Sequence, residues 1–138
     1  MMKYEFINHT ADLGIKVRGK TLKELFENAA WSMFDIITNL DKVKTRKLFK
    51  IKIKANDRED LLINWLRDLL YRFNGENYLL KEFKVENIGE SSLEGKVKGE
   101  KLNLSYHILK REIKAVTYNN PEVKKKDKYW EAQIIFDI

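Results

Sequence analysis

The sequence predicts an α+β fold: a two-layer single domain over residues 1–138, with two amphipathic helices packed on a mostly antiparallel or mixed β-sheet. Three observations carry that prediction. Two stretches place apolar residues at the i, i+3, i+4, i+7 spacing of a buried helix face. Short runs with period-two alternation precede, separate and follow them, as strands do. No internal repeat, linker or low-complexity segment divides the 138 residues, which are enough to bury a core of their own.

The elements follow in chain order. Tyr4 and Phe6 begin a first strand, with Asn8 a candidate extension, and Ile15-Lys16-Val17-Arg18 form a second; the loop between them carries His9 to Gly14. Thr21-Leu22-Lys23-Glu24 reads as a capping box, in which the hydroxyl and the carboxylate satisfy orphan amides reciprocally. The helix behind it buries Leu22, Leu25, Phe26, Ala29, Ala30, Met33, Phe34 and Ile37. Leu48 to Ala55 then switches to period two, with lysines on the opposite face. Asn56 or Asp57 caps a second helix whose stripe runs Leu61, Leu62, Trp65, Leu66, Leu69, Leu70 and Phe73, and Asn74-Gly75 is expected to end it in the left-handed conformation. Phe83 to Val85, Ser92 to Lys98 and Ile113 to Tyr118 read as strands, while Leu102 to Leu109 is ambiguous between strand and loop. Asn119-Asn120-Pro121 reads as a turn or bulge, Lys124 to Lys128 as a hairpin tip, and Tyr129 to Ile138 as the last strand.

Composition narrows the chemistry. The absence of cysteine removes disulfides, thiolate metal sites and a Cys nucleophile. The start, Met1-Met2-Lys3-Tyr4-Glu5-Phe6, lacks a signal-peptide core, and no apolar stretch is long enough to span a bilayer, so a soluble cytoplasmic protein is expected. Lysine and arginine number 27 against 21 acidic residues, a net charge of +6. Lys50, Lys52 and Lys54 alternate on a strand, where a solvated face that guards against edge aggregation is the first reading and an RNA-binding stripe the second. The glycines match neither a P-loop nor a dinucleotide fingerprint, and no zinc pattern is present. Trp31, Trp65 and Trp130 fall on core-facing stripes, which favours core over base-stacking platforms.

The residues left for chemistry are few. The run Trp130, Ala132, Ile134, Phe136 should hold the chain end in a sheet, making Asp137 and the α-carboxylate of Ile138 ordered anions. Asp12 is a third carboxylate, and the three are hard oxygen donors suited to Ca²⁺ or Mg²⁺ if the fold brings them together. Otherwise Asp12 is a turn former and Asp137 a solvated end. His9 is a ligand, an acid/base group or a hydrogen-bonded loop residue. His107 has no Ser, Asp or second His at triad spacing. Lys114, within Ile113-Lys114-Ala115-Val116, either snorkels from the sheet or meets a phosphate or an acidic partner.

Three segments in order resemble the signatures of the archease family: His9-Thr10-Ala11-Asp12-Leu13-Gly14-Ile15, the run from His107 through Glu112-Ile-Lys-Ala-Val-Thr-Tyr118, and Trp130-Glu-Ala-Gln-Ile-Ile-Phe-Asp137-Ile138. The resemblance covers essentially the whole chain. It implies a non-catalytic accessory protein of the RtcB-type RNA ligase in tRNA splicing, one that promotes guanylylation of the ligase and repeated turnover, with tRNA met indirectly and no membrane partner. It also implies that Asp12, Asp137 and Ile138 hold a divalent cation, Ca²⁺ ahead of Mg²⁺, and that Lys114 and His9 are candidate contacts to the ligase or its nucleotide. Asn119 stands where family members often carry histidine, and Leu13 where isoleucine is commoner. Two other readings compete: an RNA-binding or chaperone-like module for a tRNA-modifying enzyme, and a free-standing metal-dependent hydrolase. The hydrolase lacks an evident general base.

Overall fold

The computed structural model describes residues 3–7 and 12–138. Asn8 and His9 lie outside the described residues, so neither the extension of the first strand nor the role of His9 is addressed by it. Strands β1 (Tyr4–Ile7) and β2 (Leu13–Gly19) lead into helix α1 (Leu22–Ile37); β3 (Lys47–Lys54) precedes helix α2 (Arg58–Asn74). Then come β4 (Tyr78–Ile88), β5 (Ser92–Lys101), β6 (Ala115–Val116), β7 (Glu122–Lys125) and β8 (Trp130–Asp137). Among the described residues these make two antiparallel sheets. One has the order β1-β2-β8-β6 with β7 also on β8, and the other is β3-β5-β4. The α+β class is as the sequence predicts, with the strands divided between two sheets instead of one.

Both helices begin by the same device. Thr21 Oγ1 accepts from Glu24 N–H at 3.1 Å, and the Glu24 carboxylate accepts from Lys20 N–H, one residue earlier than the predicted reciprocal box. In α2 it is Asp57, not Asn56, that caps: its carboxylate accepts from Asp60 N–H at 2.8 Å, and Asp60 returns to Asn56 N–H. The far end of α2 departs from expectation. Gly75 sits at φ −94°, in the right-handed region, and the left-handed residue is Asn77 at φ 63°. Gly75 is there for space, since a Cβ would lie 2.5 Å from the Tyr71 ring.

The apolar stripes of both helices enter one continuous core, to which Ile15 and Val17 of β2, Ile51 and Ile53 of β3, Val97 of β5 and Ile134 and Phe136 of β8 also belong. Trp65 is fully buried, and its indole N–H donates to the Phe26 carbonyl at 3.0 Å, which ties α2 to α1 without an orphan donor. Trp31 and Trp130 are half-buried and pack against the margin of the core, in keeping with the core reading. Lys3 Nζ lies 4.3 Å from the Trp31 ring centroid and Arg58 Cζ 5.1 Å from that of Trp130.

Strand β4 is longer than the local pattern suggests, because β-bulges between Leu80 and Glu82 and between Val85 and Asn87 break its alternation, and β5 continues beyond Lys98 to Lys101. Residues 102–109 prove to be a loop. His107 is buried; its Nδ1 accepts from Asn103 N–H at 3.0 Å, so the hydrogen sits on Nε2 and is donated to Glu100 at 2.9 Å. Glu100 also accepts from Lys44 N–H and Arg46 Nε. Burial pushes its carboxyl up, but the donors from Lys44, His107 and Arg46 outweigh that and hold it below the usual glutamate range. With both ring nitrogens engaged, His107 is a loop clamp.

Two tests follow from this packing. The first bulge brings β4 so close to Gly99 that a Cβ would overlap the Leu79 carbonyl, so Gly99→Ala should cost about 3 kcal/mol in urea unfolding. A depressed carboxyl stabilises above its unfolded pKa, and that stabilisation is lost as pH falls through the folded one. Stability should therefore decline below the glutamate value of 4.5, and Glu100→Gln should flatten that part of the pH curve.

Candidate functional site

Strand β8 is paired on both edges, and its C-terminal end is where the candidate residues meet. Its ladder with β2 runs from Gly19 opposite Trp130 to Leu13 opposite Phe136. Asp12 immediately precedes Leu13, whose partner on β8 is Phe136, and Asp137 immediately follows Phe136. On the other edge Ala115 pairs with Asp137, and Lys114 N–H donates to the Asp137 carbonyl at 2.7 Å. Asp12, Lys114, Asp137 and Ile138, separated by up to 126 positions in the chain, thus come to one end of one strand. His9 is outside the described residues.

Alternation sorts the faces. Leu13, Ile15, Ile134 and Phe136 lie on the core side, so positions 12, 14, 135 and 137 belong to the outer side. Gly14 makes that outer side apolar beside the aspartates. A Cβ on it would lie 2.6 Å from Ile7 Cγ1 and 3.0 Å from Ile135 Cδ1, so its absence lets these side chains close over the strand, and Ile135 is buried. Asp12 is half-buried and Asp137 exposed. The carboxylates therefore sit at the border of a dry patch, where water screens a bound charge less than on an open surface.

The segment opposite is held by α2. Asn74 Nδ2 donates to the Ile113 carbonyl and Arg67 Nε to the Val116 carbonyl, each at 3.0 Å. Thr117 donates through both N–H and Oγ1 to the Ile135 carbonyl. These bonds bracket Lys114, whose side chain is exposed, and fix its backbone against the end of β8. Arg67 also stacks on Tyr118, with Cζ 4.5 Å from the ring centroid, and the Tyr118 hydroxyl donates to Asp60. That bond holds the Asp60 carboxyl low and the Tyr118 phenol high. Sequence reasoning passed over Arg67 and Asn74, because a polar residue on the exposed side of a helix carries no sign of the backbone carbonyl it will meet. Asn119 lies in the turn before Asn120, whose φ is 50°, and its N–H bonds Thr117 Oγ1.

The donor set is chemically uniform: two aspartates and one main-chain carboxylate, all hard oxygens, with a lysine on the flank. It fits a hard divalent cation and suits a soft metal poorly. Among the described residues no three His, Cys, Asp or Glu side chains gather into a ligand group, so side chains of those types do not complete a site without the terminal carboxylate or residues outside the described set. No helix among the described residues is long and apolar enough to cross a membrane.

Comparison with known proteins gives the same family throughout. Residues 4–138 match the model of the archease protein family (MTH1598/TM1083). The chain is 41% identical to the protein archease of Methanosarcina barkeri, over 99% of this chain and 96% of that one. It is 39% identical to that of Sulfurisphaera tokodaii over the full length of both. The solution structure of protein 1598 of Methanobacterium thermoautotrophicum superposes with a TM-score of 0.84 at 33% identity, covering all of both chains. The crystal structure of a Thermotoga maritima archease, described as a possible chaperone, shares the fold with a TM-score of 0.65 at 18% identity, over 96% of this chain and 94% of that one. The chain belongs to the archease family.

Proposed function

We propose that this chain is a non-catalytic accessory protein of an RtcB-type RNA ligase in tRNA splicing, acting in the cytoplasm to promote guanylylation and repeated turnover of the ligase. The observation that carries this reading is the convergence of Asp12, Asp137 and Lys114 on the end of β8, in a member of the archease family. Asp12, Asp137 and the Ile138 carboxylate would hold the divalent cation. Calcium suits them better than magnesium, because carboxylates borne on separate segments meet its flexible coordination more readily than a strict octahedron. When bound, the cation supplies fixed positive charge of the kind that stabilises developing charge on phosphate oxygens.

The chain's own contribution is positional. The β2–β8 ladder presents two aspartates from opposite ends of the sequence, and Arg67 and Asn74 hold the strand that carries Lys114. Lys114, exposed and held by its backbone against the end of β8, is a candidate to meet a phosphate or an acidic group on the ligase. No nucleophile with a partnered base is found among the described residues, which favours the accessory role over the hydrolase.

In a purified assay with the ligase, GTP and broken tRNA, the wild-type chain should convert a single turnover into many. Asp12→Asn and Asp137→Asn should each lower that stimulation by about 10-fold or more, the scale of losing a charged group aimed at a transition state, with unchanged thermal unfolding. Calcium titration by calorimetry should lose its isotherm in both variants. Lys114→Gln should keep the isotherm and lose the stimulation. Full stimulation by the aspartate variants would overturn the reading.

A further inference from the structure

The outer face of the β3-β5-β4 sheet carries a feature that edge protection does not explain. Register places Lys50 of β3 opposite Lys96 of β5, and Lys96 opposite Lys84 of β4, so three lysines form one row across the sheet. Like charges directly opposite one another destabilise a sheet. Lysine on an edge strand guards against edge-to-edge pairing, and that accounts for Lys50, Lys52 and Lys54 on β3. It does not account for Lys96 and Lys98, because β5 is the central strand and both its edges are already paired.

Lysines outnumber carboxylates on this face: register sets Glu94 opposite Lys52 and Glu82 opposite Lys98, Glu86 reaches Lys96, and no carboxylate stands within the row of Lys50, Lys96 and Lys84 itself. Among the described residues, of Lys50, Lys52, Lys54, Lys84, Lys96 and Lys98, only Lys96 is in an ion pair, with Glu86 at 3.4 Å. Neither helix covers the row: Lys50, Lys84 and Lys98 are exposed. Lys84, Lys96 and Lys98 also border a groove of about 710 Å³, in which Lys3 and Lys81 stand with Glu27, Glu82 and Glu86.

We propose that this face binds single-stranded RNA through its phosphodiester backbone, with Lys50, Lys96 and Lys84 as the central contacts. Evenly repeated cations match a polymer whose negative charge repeats evenly, and the row spans two interstrand gaps, about 10 Å. An acidic protein partner fits less well, since protein interfaces are anchored by buried apolar and aromatic residues. This face offers Leu48 at its corner and otherwise lysine, glutamate, asparagine and serine. That the strand is RNA rests on the ligase reading, but the test below contains no ligase, so the two succeed or fail separately.

The test is fluorescence anisotropy of a labelled 20-mer oligouridylate with the full chain, from about 50 to 200 mM salt. Three phosphate contacts on a single strand predict a log–log salt slope of about −2. The triple substitution Lys50→Gln, Lys84→Gln, Lys96→Gln should weaken binding about 10-fold or more at the lowest salt and flatten the slope by about 2. Removing like charges should leave its thermal unfolding unchanged or raised. A charge-matched control on the β7–β8 hairpin, Lys124→Gln, Lys125→Gln, Lys126→Gln, should change affinity by less than about 3-fold and keep the slope. The proposal is overturned if the two triples weaken binding equally, if the row variant keeps the wild-type slope, or if a polyglutamate peptide of equal charge binds as tightly as the RNA.

Discussion

The double pairing of β8 is the constraint on which the rest of the molecule depends. β2 takes one edge along its whole length, and β6 and β7 share the other. Its core side, Ala132, Ile134 and Phe136, closes the helical layer, so the strand cannot slip by one residue without turning that face outward. The same register sets Leu13 opposite Phe136, the residues next in the chain to Asp12 and Asp137. Folding energy and the placement of these positions therefore rest on one ladder.

Helix α2 supplies the second support. Its apolar stripe is buried against both sheets, and from its outer side Arg67 and Asn74 reach two carbonyls of the 113–116 segment. A segment with only two residues in regular strand is thereby held as firmly as a longer one. Gly14 performs the complementary task on β2: by having no side chain it lets Ile7 and Ile135 meet, and the acidic end of the sheet gains a dry neighbour. Asp137 lies at the end of the β8 sheet, while the lysine row occupies the outer face of the other sheet.

Much of this was legible in the linear chain. Both helices follow from their stripes and from Thr21 and Asp57, because capping and amphipathic burial are local in sequence. The hairpin before Ile138 and the turn at Asn119–Pro121 follow from turn chemistry. Where the structure departs from the linear pattern, a contact decides that the pattern does not mark, whether its partner is near in sequence or far. Gly75 reads as a left-handed cap, but the Tyr71 ring needs its space and Asn77 takes the positive φ. The bulges at Leu80 and Val85 hide a long strand from any period-two pattern. His107 has no companion at triad spacing, and Glu100, seven residues earlier near the end of β5, becomes its partner because the loop after β5 folds back on the strand.

The sequence by itself determined the class of the domain, its two helices, its family likeness and the identity of its carboxylates, since those properties lie in residue type and short-range order. Only the tertiary structure decided that Leu13 and Phe136, and with them the chain positions next to Asp12 and Asp137, stand side by side, because that is a matter of strand register and not of spacing. It alone decided that lysines alternating on separate strands stand in one row. The physical reason is common to both: side chains act through distances of a few ångströms, and in a sheet those distances are set across strands that the chain reaches only after long excursions.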